Sequence, residues 1–291
     1  MRLATFTQGG TTRIGVAEIE QIVDLAAAAP ELPREMKAFL ATGPAGLERA
    51  REAVAAANHR LALRDVRLEA PVLDPQKFLG VGLNYILHIA ETHQERPPHP
   101  TLFNKQSSCV NGPYMPIELP PSGAFTDYEG ELALVIGKRC RRVPRERAHE
   151  VIAGYTIVND VSVRDWQRFA VTMTLGKSWD THGPMGPWIV THDEIGDPHA
   201  LDLRTWVNGE LRQSSNTKNM IFDCFAVVET LSTVCTLLPG DVISTGTPSG
   251  VGVAMNPPRF LAPGDVVRIE IAGIGYLENP VIAARADAPQ L

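Results

Sequence analysis

Three acids stand at alternate positions, Asp127, Glu129 and Glu131, at the head of the stretch "DYEGELALVIG". Alternate side chains of a strand share a face. The three carboxylates are therefore expected on one side of a segment that turns apolar from Leu132 onward. A solvated face and a cation site fit that pattern equally. A second β-like run, "YTIVND" at 155–160, ends abruptly in Asn159 and Asp160 and so brings a further acid to a strand mouth. Carboxylate oxygens of this kind suit a hard octahedral cation, Mg²⁺ or Mn²⁺, with a position left for water or substrate. Without a cation, acids that close would raise one another's pKa. No histidine adjoins them in sequence, so zinc is not the expected metal.

Other residues carry complementary chemistry. Arg164 and Gln167 lie three apart, which puts them together on a helical turn, and Lys177 follows a glycine in "LGKSWDTHGP". Such donors hold an anionic substrate or an enolate oxygen, although each alone is also an ordinary surface residue. His88 and Glu91 are three apart in "YILHIAETHQ". A carboxylate on one imidazole nitrogen fixes the tautomer and leaves the other as a general base; the same spacing is common on helix surfaces. Thr247, in "STGTPSGVG", sits among glycines whose N–H groups could grip a carboxylate. That stretch lacks the order of a phosphate loop.

Elements must position these groups. Residues 1–70 contain two short β-like runs around "QGGTT" and Ala-rich helical segments. From residue 71 to 291 the pattern is many short strands punctuated by Gly and Pro, with Asn208-Gly209 marking a hairpin. Helical intervals are few: "YILHIAETHQ", "RERAHEVI" and "MIFDCFAVVETLSTVCTL". Strands do not alternate with long helices, which disfavours a doubly wound sheet or a TIM barrel. The expected fold is α+β, mostly β, with a small α/β leading unit.

Composition excludes some classes. The 291 residues carry 27 Lys+Arg against 33 Asp+Glu, a formal charge of -6, which lacks the basic footprint of a nucleic-acid binder. Four scattered cysteines form no CxxC pair and read as free thiols. No run approaches the ~20 apolar residues of a membrane span, and "MRLATFTQGG" has no apolar leader, so a cytoplasmic protein without membrane partners is expected.

Seven blocks, in order, then resemble the fumarylacetoacetate hydrolase superfamily: "GLNYILHIAE", "DYEGELALVIG", "GYTIVNDVSVRDWQ", "GKSWDTHGP", "VNGELRQ", "LLPGDVISTGTPSGVG" and "FLAPGDVVRIEIAGIG". The resemblance implies a mixed β-roll catalytic domain over 71–291, a variable N-terminal domain over 1–70, and a homodimer. It implies Mg²⁺ or Mn²⁺ on Glu129, Glu131 and Asp160, leaving Asp127 a hydrogen-bonding place. His88 and Glu91 become a water-activating dyad on a segment that orders over substrate, and Lys177, Arg164, Gln167 and Thr247 line the substrate and oxyanion site. Two departures stand out. "KFLGVGLNY" offers no fourth acidic ligand, and His182 stands where many members have an aromatic residue. His182 is expected either to tune substrate choice or to be a tolerated surface change.

The activity implied is metal-dependent hydrolysis of a C–C bond in a 2,4-diketo acid, an acylpyruvate or a diketo-deoxy sugar acid, giving a 2-oxo acid and a carboxylic acid. Decarboxylation of an oxaloacetate-like acid and keto–enol isomerisation of a 2-hydroxy-dienoate use the same groups and stand as alternatives. A non-catalytic metal-binding interaction domain is the alternative from another class.

Overall fold

The computed structural model describes residues 1–121 and 125–284. It contains more strand than helix. The largest sheet runs, in spatial order, Leu61–Ala62, Gln21–Asp24, Thr11–Ala17, Arg2–Gln8, Gly183–Thr191, Ile152–Asn159, Gly130–Ile136, Val242–Ser244, Phe78–Gly82 and Thr101–Lys105. Neighbours along this path are antiparallel except Val242–Ser244 with Phe78–Gly82, and off it Val110–Asn111 pairs in parallel with Gly183–Thr191. A second sheet orders Glu210–Asn216, Asp202–Val207, Val266–Ile271, Gly275–Ile282 and Ile117–Glu118. Asn208 and Gly209, at φ 54° and 78°, turn its first hairpin as the Asn-Gly pair predicts.

The leading strands extend the large sheet, because Arg2 and Leu3 pair with Val190 and Ile189. One apolar cluster likewise joins Leu3, Ile14 and Phe39 to Val135, Val158 and Val242. A second cluster fills the space under the other face with Leu132, Leu134, Ile157, Val227, Ile269 and Leu277. Helix Cys224–Val234 contributes Val227, Val228 and Leu231 to it, and Asp223 caps its start by accepting from the N–H groups of Phe225 and Ala226.

The strand Gly130–Ile136 is central, flanked by Ile152–Asn159 and Val242–Ser244, and every residue in it is buried. A solvated acidic face is therefore excluded. The single strand expected from Asp127 to Ile136 is in fact two. Thr126–Asp127 pairs with Ser162–Val163, while Tyr128 and Glu129 leave the ladder. Side chains take the backbone donors at the break: Asp127 Oδ1 accepts from Tyr128 N, Asn159 Oδ1 from Glu129 N and Gln213 Oε1 from Gly130 N. Only glycine fits between the two glutamates, since a Cβ on Gly130 would stand 2.3 Å from Thr205 Oγ1. Among the described residues no helix is long and apolar enough to cross a membrane.

Candidate active site

Glu129, Glu131 and Asp160 converge at the mouth of the central strands. One oxygen from each lies within 4.8 Å of the others, and all three residues are buried. Asp160 arrives one residue past the end of Ile152–Asn159, held by its N–H to the Glu129 carbonyl at 2.9 Å. Each acid has its own fixed partners. Glu129 receives Lys177 Nζ at 2.6 Å and Arg164 Nη1 at 2.6 Å. Asp160 receives Lys177 Nζ at 2.6 Å on Oδ2 and Lys105 Nζ at 2.8 Å on Oδ1. Glu131 accepts from the Ser244 hydroxyl and from Gly246 N at 2.8 Å.

These surroundings split the two glutamates. Burial raises the carboxyl pKa of Glu129, but Lys177 and Arg164 outweigh it and hold the group well below its ordinary range. Among the described residues Glu131 has no cation in contact, so burial, with Asp160 and Glu129 beside it, pushes its pKa well up. The same acids offset burial at Lys177 and raise its ammonium pKa. Counting Asp127, four buried carboxyl groups face three cations, and Glu131 is the one without a cation partner among the described residues, in a centre of hard oxygen donors. That donor set fits a divalent Mg²⁺- or Mn²⁺-type ion.

Asp127 is not a member of this triad. Its buried carboxylate accepts from Arg164 Nε and Nη2 at 2.9 and 2.8 Å, and from the N–H groups of Gly252 and Val253 at 2.8 and 3.0 Å. It thus ties the acidic segment to Arg164 and to the loop after Val242–Ser244.

The imidazole of His88 and Glu91 meet on the helix Ile86–Glu91, with Nδ1 and Oε1 2.8 Å apart. The other Glu91 oxygen accepts from Gly250 N at 2.8 Å. The carboxylate can only accept, so Nδ1 donates and Nε2 is the basic nitrogen. Asn84 anchors the helix at its base. Its Nδ2 donates to the carbonyls of Phe222 and Thr245 and its Oδ1 accepts from Phe222 N.

The nine residues singled out in the sequence come together here. Eight of them, His88, Glu91, Glu129, Glu131, Arg164, Gln167, Lys177 and Thr247, line one cavity of about 680 Å³, and Asp160 is bound to Lys177 beneath it. Several are already engaged. Gln167 Oε1 accepts from Arg164 Nη1 at 3.1 Å, and the Thr247 hydroxyl accepts from Gln213 Nε2 at 2.7 Å and donates to the Gly130 carbonyl at 3.1 Å. Gly176, where a Cβ would meet the Gln167 backbone at 2.4 Å, lets the short helix Thr174–Lys177 pack close enough to deliver Lys177.

The structure corrects the reading of His182. It neither lines the cavity nor reaches solvent. Its Nε2 donates to the Glu118 carbonyl at 2.9 Å, and its own carbonyl accepts from Lys105 at 3.0 Å. Sequence reasoning missed Lys105, Ser244 and Gln213. Gln213 lay inside the block "VNGELRQ"; nothing local marked Lys105, which comes from the strand Thr101–Lys105.

Known proteins resemble this chain along most of its length. The profile of the fumarylacetoacetate (FAA) hydrolase C-terminal family matches residues 77–282. A mitochondrial oxaloacetate tautomerase of Xenopus laevis is 43% identical over 289 residues, 97% of this chain and 90% of that protein. A fumarylacetoacetate hydrolase from Exiguobacterium antarcticum superposes with a TM-score of 0.86 at 40% identity, covering 98% of this chain and all 100% of its own. The maleylpyruvate hydrolase of a Sphingobium species, solved with manganese(II) and pyruvate, gives 0.82 at 36% identity, covering 98% and 100%. The chain belongs to the fumarylacetoacetate hydrolase family.

Proposed function

We propose that this protein is a divalent-metal-dependent keto–enol tautomerase of an oxaloacetate-like 2-oxo acid. The observation that carries the proposal is the oriented pair His88–Glu91, 2.8 Å apart, on the wall of a cavity that also holds the three buried carboxylates. Glu129, Glu131 and Asp160 would hold the ion. When bound, the ion supplies a Lewis acid for the carboxylate and oxygen at the 2-oxo end of the substrate. In the enol direction Nε2 of His88 takes a proton from C3 and passes it to the 2-oxo oxygen; in the keto direction it takes the enol proton and delivers it to C3, while Glu91 holds the imidazole in the correct tautomer. Arg164 and Lys177 keep Glu129 ionised and in place, and Lys177 also holds Asp160. The net reaction moves one proton and needs no water, oxidant or cosubstrate. The high full-length identity to an oxaloacetate tautomerase supports this reading.

C–C hydrolysis of an acylpyruvate is the second reading. It is favoured by the second anchor on Glu91, from Gly250 N, and by the likeness to a maleylpyruvate hydrolase. There His88 would instead take a proton from water, the hydroxide would add to the distal carbonyl, and the electron pair of the broken bond would leave as a pyruvate enolate. We carry a homodimer as part of the proposal, to be measured by light scattering.

One experiment separates the readings. The Mn²⁺-loaded protein is given enol oxaloacetate, followed by ultraviolet absorbance, and acylpyruvates, followed by chromatography of products. Accelerated enol loss without a new carboxylic acid supports the tautomerase. Stoichiometric pyruvate and carboxylic acid from an acylpyruvate supports the hydrolase. Release of CO₂ from oxaloacetate at the rate of enol loss would replace both with a decarboxylase.

A further inference from the structure

The cations deep in the site are all committed. Lys105 is bound to Asp160, Lys177 to Glu129 and Asp160, and Arg164 to Asp127 and Glu129. None can bind the far end of a substrate without exposing a buried carboxylate, which is the costly way to break an ion pair. The cavity wall nevertheless carries one more guanidinium, that of Arg168. It follows the helix Arg164–Gln167, with its backbone N–H donating to the Asp165 carbonyl at 3.2 Å. Its residue is exposed, and among the described residues its side chain has no ion-pair or hydrogen-bond partner. The same segment gives the cavity Ala170, Val171 and Met173, with Gln167 held to Met173 Sδ at 3.5 Å. An unpaired planar fork on the wall of the cavity suits a carboxylate better than a neutral group.

We infer that Arg168 is a specificity-determining residue that binds the remote carboxylate of a dicarboxylic substrate, so that the substrate class is a 2-oxo diacid and not a 2-oxo acid with an apolar tail. The inference rests on the proposed 2-oxo acid chemistry. It assigns the two ends of the substrate to different cations: the 2-oxo end to the acidic centre and its ion, the far end to Arg168. Because Arg168 is exposed and takes part in no internal ion pair, its replacement leaves the acidic centre intact.

The test is calorimetric and does not need turnover. Mn²⁺-loaded wild type, Arg168→Gln and Arg168→Lys are titrated with oxalate, which has no remote group, with 3,3-difluorooxaloacetate, which cannot enolise, and with the 4-methyl ester of the latter. Arg168→Gln is expected to weaken the diacid at least tenfold while oxalate and the ester bind as to wild type. Arg168→Lys is expected to recover part of the loss. Equal weakening of all three ligands, or no weakening of the diacid, overturns the inference. A selective loss of diacid binding in a protein that turns over no 2-oxo acid would uphold Arg168 and remove the tautomerase reading instead.

Discussion

Lys177 and Glu129 are joined by a 2.6 Å contact between Nζ and Oε2, and the same ammonium stands 2.6 Å from Asp160 Oδ2. One buried cation therefore bridges two of the three acids that fit a metal. Removing it takes one of two cations from each of two buried carboxylates, leaving Glu129 only Arg164 and Asp160 only Lys105. In Lys177→Met without added metal, the loss of stability should be about 3–5 kcal/mol, the scale for breaking a buried pair from one side. Urea midpoints measure it. Added Mn²⁺ should restore more stability to the variant than it adds to wild type; equal midpoints for variant and wild type would contradict the bridging role.

The His88–Glu91 pair makes a separate claim about proton transfer. His88→Ala should lower turnover by roughly 10²–10⁴-fold, the usual contribution of a positioned general base. Glu91→Gln should lose less, because the amide oxygen can still accept from the imidazole Nδ1–H, although its NH2 then faces the Gly250 N–H from which Glu91 accepts in the wild type. Mn²⁺ affinity, read from the electron paramagnetic resonance of free ion, should stay at the wild-type value in both. A matching fall in metal affinity would make the pair structural.

Asp127 holds together more than it touches. Arg164 and the N–H groups of Tyr128, Gly252 and Val253 all donate to its two oxygens. Asp127→Asn keeps the shape but removes the charge and one acceptor. The expected cost is on the order of 3 kcal/mol, since Arg164 keeps only Glu129 as a counter-charge. Chemical denaturation checks the number, and an unchanged midpoint would show that the loop holds without it.

How much of this was legible beforehand differs residue by residue. Strand periodicity and an abrupt strand end drew attention to Asp127, Glu129, Glu131 and Asp160 but fitted a solvated face equally well, and the family resemblance supplied the set Glu129, Glu131 and Asp160. The break at Tyr128–Glu129 was not legible, since the acceptors that take its N–H groups, Asn159 and Gln213, come from 30 and 83 residues away. Lys105 was hidden for the same reason: it meets Asp160 across 55 residues, and a lysine in a short strand looks like an edge residue until its burial is known. The sheet shared by residues 2–8 and 183–191 is likewise a tertiary fact. Arg164 was legible as a donor, but its partners were not, and those partners remove it as a free substrate clamp.

His182 gives a pH dependence of known sign. Burial, helped by the Lys105 ammonium nearby, pushes its pKa down to about 4. Among the described residues Nδ1 has no partner, so a proton there would be buried without an acceptor. The unfolded chain has an ordinary histidine of pKa ~6.5, so between the two values it binds more protons than the folded protein. The stabilising contribution of the neutral ring is complete above the unfolded value, falls as pH drops, and stops falling below the folded value. The full swing is on the order of 3 kcal/mol. In His182→Phe this part of the slope between pH 7 and pH 4 should vanish, as measured by denaturation at a series of pH values. An identical slope in the variant would assign the pH dependence elsewhere.

The central claim is proton transfer at C3 of a 2-oxo acid by His88 at an acidic, metal-holding centre. Deuterium incorporation at C3 of a 2-oxo diacid, followed by nuclear magnetic resonance in D₂O, reads that step whatever the later fate of the enol. Exchange should be fast with Mg²⁺ or Mn²⁺, fall to the uncatalysed rate after chelation, return on adding the ion back, and be lost in Glu129→Ala and His88→Ala. Exchange that proceeds unchanged through chelation, or that survives His88→Ala at the wild-type rate, would contradict the account.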